Sequence, residues 1–137
     1  MFETPILFLI FNRPEETKLV FEQIRKVKPK YLYVAADGPR KEKEGDLELC
    51  NHTRKIIEAI DWDCELNKLY RDENLGSGIG IIEAINWFFE HEVYGNILED
   101  DCLPKQSFFP FIKVMLEKYQ HNERIMLVSS SKPNSSN

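Results

Sequence analysis

Residues 5–17, PILFLIFNRPEET, decide how the chain is read. Ile6 to Phe11 is an unbroken apolar run. A strand covered on both faces carries such a run, because a parallel sheet is sandwiched between helices. At NRPEE the pattern changes. Pro14 suits the first turn of a helix, where its missing N–H costs nothing. Glu15 and Glu16 then fall at the positive end of the helix dipole. Leu19, Val20, Phe21 and Ile24 give this helix an apolar side, and Pro29 ends it. A buried strand that runs straight into a helix is the opening of a β-α-β unit.

Working outward, the alternation continues. YLYVAA (31–36) is a second strand, stopped by DGP. RKEKEGD (40–46) is a charged loop. Asp46 to Ile60 reads as an amphipathic helix with Leu47, Leu49, Cys50, Ile56, Ile57 and Ile60 as core candidates. Glu65 to Asp72 is a third strand with looser alternation, followed by a glycine-rich turn, ENLGSGIG (73–80). Ile81 to His91 is a helix whose bulky residues are Ile82, Ile85, Trp87, Phe88 and Phe89. NIL (96–98) is a short strand that leads into Glu99, Asp100 and Asp101. Pro104 to Tyr119 is a helix broken or kinked near Pro110, and RIMLVSS (124–130) is a last strand. There is no internal repeat. The expectation is an α/β fold: an open, mostly parallel, Rossmann-like sheet with helices on both faces. Residues 1–130 form one domain, and 131–137 a polar tail with the composition of a disordered segment.

Composition narrows the function. Hydrophobic residues make up 42% of 137, and the net charge of -5 argues against nucleic-acid binding as a main task. No apolar run approaches the roughly 20 residues that span a bilayer. PILFLIF also lacks the basic start and cleavage site of a signal peptide. Cys50, Cys64 and Cys102 form no CxxC pair, which argues against a disulfide framework or structural zinc and for a reducing cytoplasm. The basic cluster RKVKPK (25–30) reads as a helix C-terminus. His52, His91 and His121 have no ligand spacing.

Open parallel sheets bind ligands at the carboxyl ends of their strands. Asn12 and Arg13 follow the first strand, Asp37 and Gly38 the second, Asp72 to Gly80 the third, and Glu99 to Asp101 the fourth. Alternation along an extended chain would put Glu99 and Asp101 on one side and Asp100 on the other. Three crowded carboxylates repel one another, and a divalent cation removes the conflict. An all-oxygen site suits Mg²⁺ or Mn²⁺; the other reading is a solvated acidic turn that caps the next helix at Pro104. Asp37 is either an Asp-Gly-Pro turn residue or a nucleotide contact. Arg13 is either a surface arginine or a phosphate or base contact. Phe11 is either core or a ring stacked on a base. NLGSGIG has neither the Lys-Ser/Thr of a Walker motif nor GxGxxG spacing.

Four blocks in this order resemble the GT-A class of nucleotide-sugar-dependent glycosyltransferases. PILFLIFNRPEET is similar to the opening strand and its Asn-Arg-Pro turn, and YLYVAADGP to the second strand with a base-binding Asp. RDENLGSGIGIIEAINWFFE is similar to the turn and helix ahead of the metal motif, and GNILEDDCLPKQSFF to the Glu-Asp-Asp form of that motif. The nearest resemblance is to the bacterial hemolysin-like nucleotide-diphospho-sugar transferases, relatives of the animal N-acetylglucosaminyltransferase that begins complex N-glycans. It covers Pro5 to about Ser130.

The resemblance implies a UDP-sugar donor held through Mn²⁺ (or Mg²⁺). Asp101 would ligate the metal, and Glu99 and Asp100 would hold the ribose or donor sugar. Asp37 would accept from the uracil N3–H, and Arg13 would contact base or diphosphate. Phe11, Asn12, Asn74 and Gly76 complete the nucleotide-sugar site. The metal would stabilise charge on the leaving diphosphate. The acceptor would be a glycan or a lipid-linked glycan, the latter placing the protein at the inner face of the membrane. Two features depart from the family. Ile79 stands where a basic residue is expected. After RIMLVSS only SKPNSSN follows, so the expectation is the donor half alone, without a recognisable catalytic base: a fragment, a truncated gene product or half of a two-chain enzyme. The alternative is a truncated, non-catalytic nucleotide-sugar-binding module. A receiver-like domain would need acids directly after the first strand, where Asn12 and Arg13 stand.

Overall fold

The structure, a computed structural model, describes residues 2–101 and the backbone of 128–129. The predicted helix from Pro104, Cys102, His121 and the tail lie outside the described residues. Five strands, β1 (Ile6–Ile10), β2 (Tyr31–Ala36), β3 (Glu65–Tyr70), β4 (Asn96–Glu99) and β5 (Val128–Ser129), form one sheet in the order β3-β2-β1-β4-β5. Every pairing is parallel, with Ile6 opposite both Leu32 and Asn96. The helices are α1 (Pro14–Val27), α2 (Asp46–Ile56) and α3 (Ser77–His91); a 3-10 turn, Ile57–Ala59, extends α2. The α/β architecture with a parallel sheet is as expected.

Strand alternation divides the core in two. Ile6, Phe8 and Ile10 of β1 point with Leu32 and Val34 toward α1 and α2, where Val20, Phe21, Ile24 and Ile57 meet them. Leu7 of β1 points the other way, with Tyr33, Ala35 and Ile97, and meets Ala84 and Phe88 of α3. Helices therefore cover both faces. This explains why β1 has no polar position: both of its sides are interior. Phe8, Phe21 and Phe88 are completely buried. Burying each such ring is worth roughly 1.5–3 kcal/mol relative to exposure.

The helix ends follow simple electrostatics. Pro14 opens α1 with Glu15 and Glu16 in its first turn, and Arg25 and Lys26 occupy the last. The chain leaves α1 through Lys28 in the left-handed region (φ 51), one residue before Pro29, with the Lys28 N–H donating to the Ile24 carbonyl. The basic cluster is thus a helix C-terminus, as read from the sequence.

Three expectations need correction. Leu47 and Leu49 are exposed, not core. The inward face of α2 runs through Asp46, Cys50 and Thr53 to Ile57, and two of those are polar. Ile82 is also exposed, and Ala84 and Phe88 are the buried positions of α3. Finally, α3 begins at Ser77, so Gly78 and Gly80 lie within a helix, not in a turn.

Candidate functional site

The order β3-β2-β1-β4 changes direction at β1: the chain first adds β2 and β3 on one side, then returns to add β4 on the other. The carboxyl ends of β1 and β4 splay apart at such a point and leave a crevice. A cleft of about 420 Å³ opens there, within the usual size range of small-ligand sites. Phe11, Arg13, Asp37, Asn74, Gly76, Glu99, Asp100 and Asp101 all line it. The sequence-selected residues are therefore brought together, with Asn12 alone not on its wall.

The acidic motif does not behave as an extended strand. β4 ends at Glu99, and Asp100 and Asp101 lie in a turn. Glu99 and Asp101 are exposed while Asp100 between them is buried, in keeping with the expected split, and all three residues border the same cleft. Asp100 is buried, and its carboxyl is pushed up to about 6. Burial is the main cause; the Arg13 guanidinium opposes it, and the neighbouring Asp101 and Glu99 charges add to it. Arg13 Nη1 lies 3.4 Å from Asp101 Oδ2 and 3.8 Å from Asp100 Oδ1. In the described structure, then, Arg13 faces the acids across the β1–β4 crevice.

Asp37 is fully engaged within the protein. Its Oδ1 accepts from the Gly38 N–H at 2.8 Å and the Leu75 N–H at 2.9 Å. Its Oδ2 accepts from the Gly76 N–H at 3.1 Å and Asn74 Nδ2 at 3.2 Å. A carboxylate offers about four lone-pair sites, and here all are used. Asn74 Nδ2 also donates to the Gly38 carbonyl at 2.9 Å. The backbone donors at the start of α3, which a phosphate loop would aim at an anion, are thus aimed at Asp37. Gly76 adopts φ 90, a conformation glycine tolerates. At Gly80 an added Cβ would stand 3.3 Å from Asp37 Oδ2. Gly80 thus leaves room for this carboxylate beside the helix. Ile79, where the resemblance leads one to expect a basic residue, is exposed.

Asn12 is likewise committed. Its Nδ2 donates to Oδ1 of Asp46 at 2.8 Å. Asp46 is 1% exposed and also accepts from Arg40: the backbone N–H at 2.8 Å, Nε at 3.1 Å and Nη2 at 3.2 Å. The Arg40 hydrogen bonds hold its carboxyl well below the ordinary aspartate range, against the effect of burial. The Arg40 guanidinium lies 5.6 Å from the Phe11 ring centre, on the cleft wall.

Sequence reasoning missed Arg40 and Asp46. Arg40 and Asp46 belong to a charged stretch read as solvated; the usable signal was an acid at the first position of a helix, six residues after an arginine. Arg71 lines the cleft beside Ser77 and pairs with Glu83 at 2.8 Å.

A hard divalent cation fits the donor chemistry present. Carboxylate oxygens border the cleft, and Asp101 is about half exposed to it. Among the described residues no three His, Cys, Asp or Glu side chains converge closely enough to enclose a metal by themselves. Among the described residues no helix is long and apolar enough to cross a membrane, and the Cys50 and Cys64 thiols are free. No protein-family model matches the chain, and no curated protein matches it.

Proposed function

We propose that the chain is the donor-binding part of a GT-A-type glycosyltransferase, which binds a UDP-sugar through a divalent metal, Mn²⁺ or Mg²⁺, at Glu99-Asp100-Asp101. One observation carries the reading: the carboxylates that end β4 meet Arg13, at the end of β1, across the cleft at the point where the strand order reverses. Asp101, the more open of the two aspartates, is the residue to hold the metal, and Arg13 would turn toward the diphosphate once the metal takes its place beside the acids. When bound, the metal supplies Lewis-acid stabilisation of the leaving diphosphate. Phe11 offers a ring on the cleft wall, and Glu99 and Asp100 offer acceptors to ribose or sugar hydroxyls.

The intramolecular bonds of Asp37 assign it a supporting part: it holds residues 74–76 in place as a wall of the base pocket. The preference for uridine therefore rests on the resemblance of the sequence blocks. The test is calorimetric titration of the 137-residue chain with UDP, with and without Mn²⁺, and with GDP as control. Mn²⁺-dependent binding that favours UDP and is lost in Asp101→Asn is expected. Binding unaffected by metal, or unchanged in Asp101→Asn, would overturn the metal assignment. Release of free sugar from a UDP-sugar would separate an enzyme from a binding module without turnover.

A further inference from the structure

Among the described residues, three arginines line the large cleft. Arg13 faces the acids, and Arg71 is paired with Glu83 at 2.8 Å. Arg40 is held differently. Its backbone N–H, Nε and Nη2 all donate to Asp46. Asp46 is 1% exposed and is not on the cleft wall, whereas Arg40 is. The guanidinium is thus gripped from the interior and turned toward the cleft. Asn12 donates to the same carboxylate at 2.8 Å, so the turn after β1 and the loop after β2 share one anchor.

One edge of the guanidinium is left over. Nη1 of Arg40 has no partner among the described residues, and it is not buried. The Arg40 side chain as a whole is 41% exposed. A planar guanidinium with a fixed orientation and a free N–H loses little freedom when it meets an acceptor. The Phe11 ring lies beside it, 5.6 Å from the guanidinium centre. A donor next to a flat apolar surface suits a flat ring that carries a carbonyl oxygen.

Strand order gives the direction. Neighbouring strands lie about 4.8 Å apart, so with β1 between them the ends of β2 and β4 are roughly 10 Å apart. Arg40 follows β2, and the acids follow β4. A diphosphate held at the acids therefore has its nucleoside running toward Arg40. The Asp37 carboxylate at that end is closed to a ligand, since its four acceptor positions are taken.

We propose that Arg40 is a specificity-determining residue of the cleft: its Nη1 donates to a carbonyl oxygen on the base of the bound nucleotide, beside Phe11. Asp46 and Asn12 are its positioning residues. This role presupposes a nucleotide in the cleft, as proposed above, and adds the protein group that reads the base.

The test is calorimetric titration of the 137-residue chain, in excess Mn²⁺, with UDP and with methyl diphosphate, which keeps the diphosphate and lacks the nucleoside. Arg40→Lys keeps the charge and the backbone N–H that Asp46 accepts. It should lower the affinity for UDP about tenfold, the order of one charge-assisted hydrogen bond, and leave that for methyl diphosphate unchanged. Asp46→Asn, which loosens the guanidinium, should likewise weaken UDP alone. In isotope-labelled wild type with Mg²⁺, the Arg40 Nε–H resonance should shift with UDP and stay in place with methyl diphosphate, a measurement that needs no variant. Equal losses for both ligands in Arg40→Lys would put the guanidinium on the phosphates and overturn the proposal, as would UDP affinity unchanged in that variant. Wild type that holds methyl diphosphate as tightly as UDP would overturn the base contact alone. Wild type that binds neither would overturn the nucleotide reading of the cleft, and this role with it.

Discussion

The Asp37 carboxylate reaches from the end of β2 to the N–H of Gly76, the residue just ahead of α3, at 3.1 Å. With Gly38, Asn74 and Leu75 it completes a set of four donors around one side chain. Two loops of the cleft are joined through a single charge.

That arrangement makes Asp37→Asn informative. An asparagine keeps the shape but turns one acceptor oxygen into a donor, which must then face N–H groups. The expected cost is about 1–3 kcal/mol of stability, and, on the function proposed above, nucleotide affinity falls in parallel. Thermal unfolding and calorimetry on the same variant check this. Affinity lost at unchanged stability would instead mark Asp37 as a direct base contact.

Asp46 gives a pH-dependent expectation. Its folded pKa is depressed, so its contribution is fully present above the unfolded aspartate value of about 3.9 and is lost as pH falls through the lower folded value. Asp46→Asn should lose about 1–3 kcal/mol at neutral pH. The gap between wild type and variant should narrow as pH drops below about 4. Urea unfolding at pH 7 and pH 3 measures it; a gap that widens on acidification would contradict the assignment.

Arg13 is the cation that opposes the upward shift of Asp100. Arg13→Ala should therefore move the Asp100 carboxyl above its value of about 6. Carbon-13 chemical shifts of the side chain, followed against pH without added metal, report it directly. A value that stays put or falls would show that the guanidinium does not act on Asp100 in solution.

The two layers of the core differ sharply from the exposed apolar positions. Phe88 is 0% exposed and packs edge-on against Tyr33 at 4.9 Å, so Phe88→Ala should cost about 3–5 kcal/mol. Leu47 is 59% exposed, and Leu47→Ser should change stability by no more than about 0.5 kcal/mol. Denaturant midpoints of the two variants settle both.

Much of this was legible in the sequence where one force dominates. An apolar run followed by Pro-Glu-Glu gave β1 and α1, because continuous burial and the helix dipole leave few alternatives. The convergence of Arg13, Asp37 and Glu99 to Asp101 followed from strand order alone. The failures arose where polar groups are buried or where a distant residue sets local structure. In α2, counting apolar residues selected Leu47 and Leu49, while the inward face carries Asp46 and Thr53, made tolerable by Asn12, Arg40 and the Leu49 carbonyl. In α3, Gly78 and Gly80 argued for a turn, yet Asp37, some forty positions earlier, satisfies the backbone just ahead of the helix. The acids of 99–101 were assigned by alternation, and Asp100 alone of the three is buried.

The central place of β1 also governs how the protein can fold as it is made. Ile6 meets Leu32 on one side and Asn96 on the other. The first partner leaves the ribosome early, and β1, β2 and β3 can assemble by short-range β-α-β closures. The second partner arrives only after α3 has been synthesised, so one flank of the most apolar strand waits without its neighbour while α2, β3 and α3 are made. Pairing across so long a stretch of chain is slow, and a nascent chain with an open hydrophobic flank is the species most exposed to misassociation. The carboxylates of the cleft lie just past that late strand, so the site takes shape only once β4 has docked beside β1.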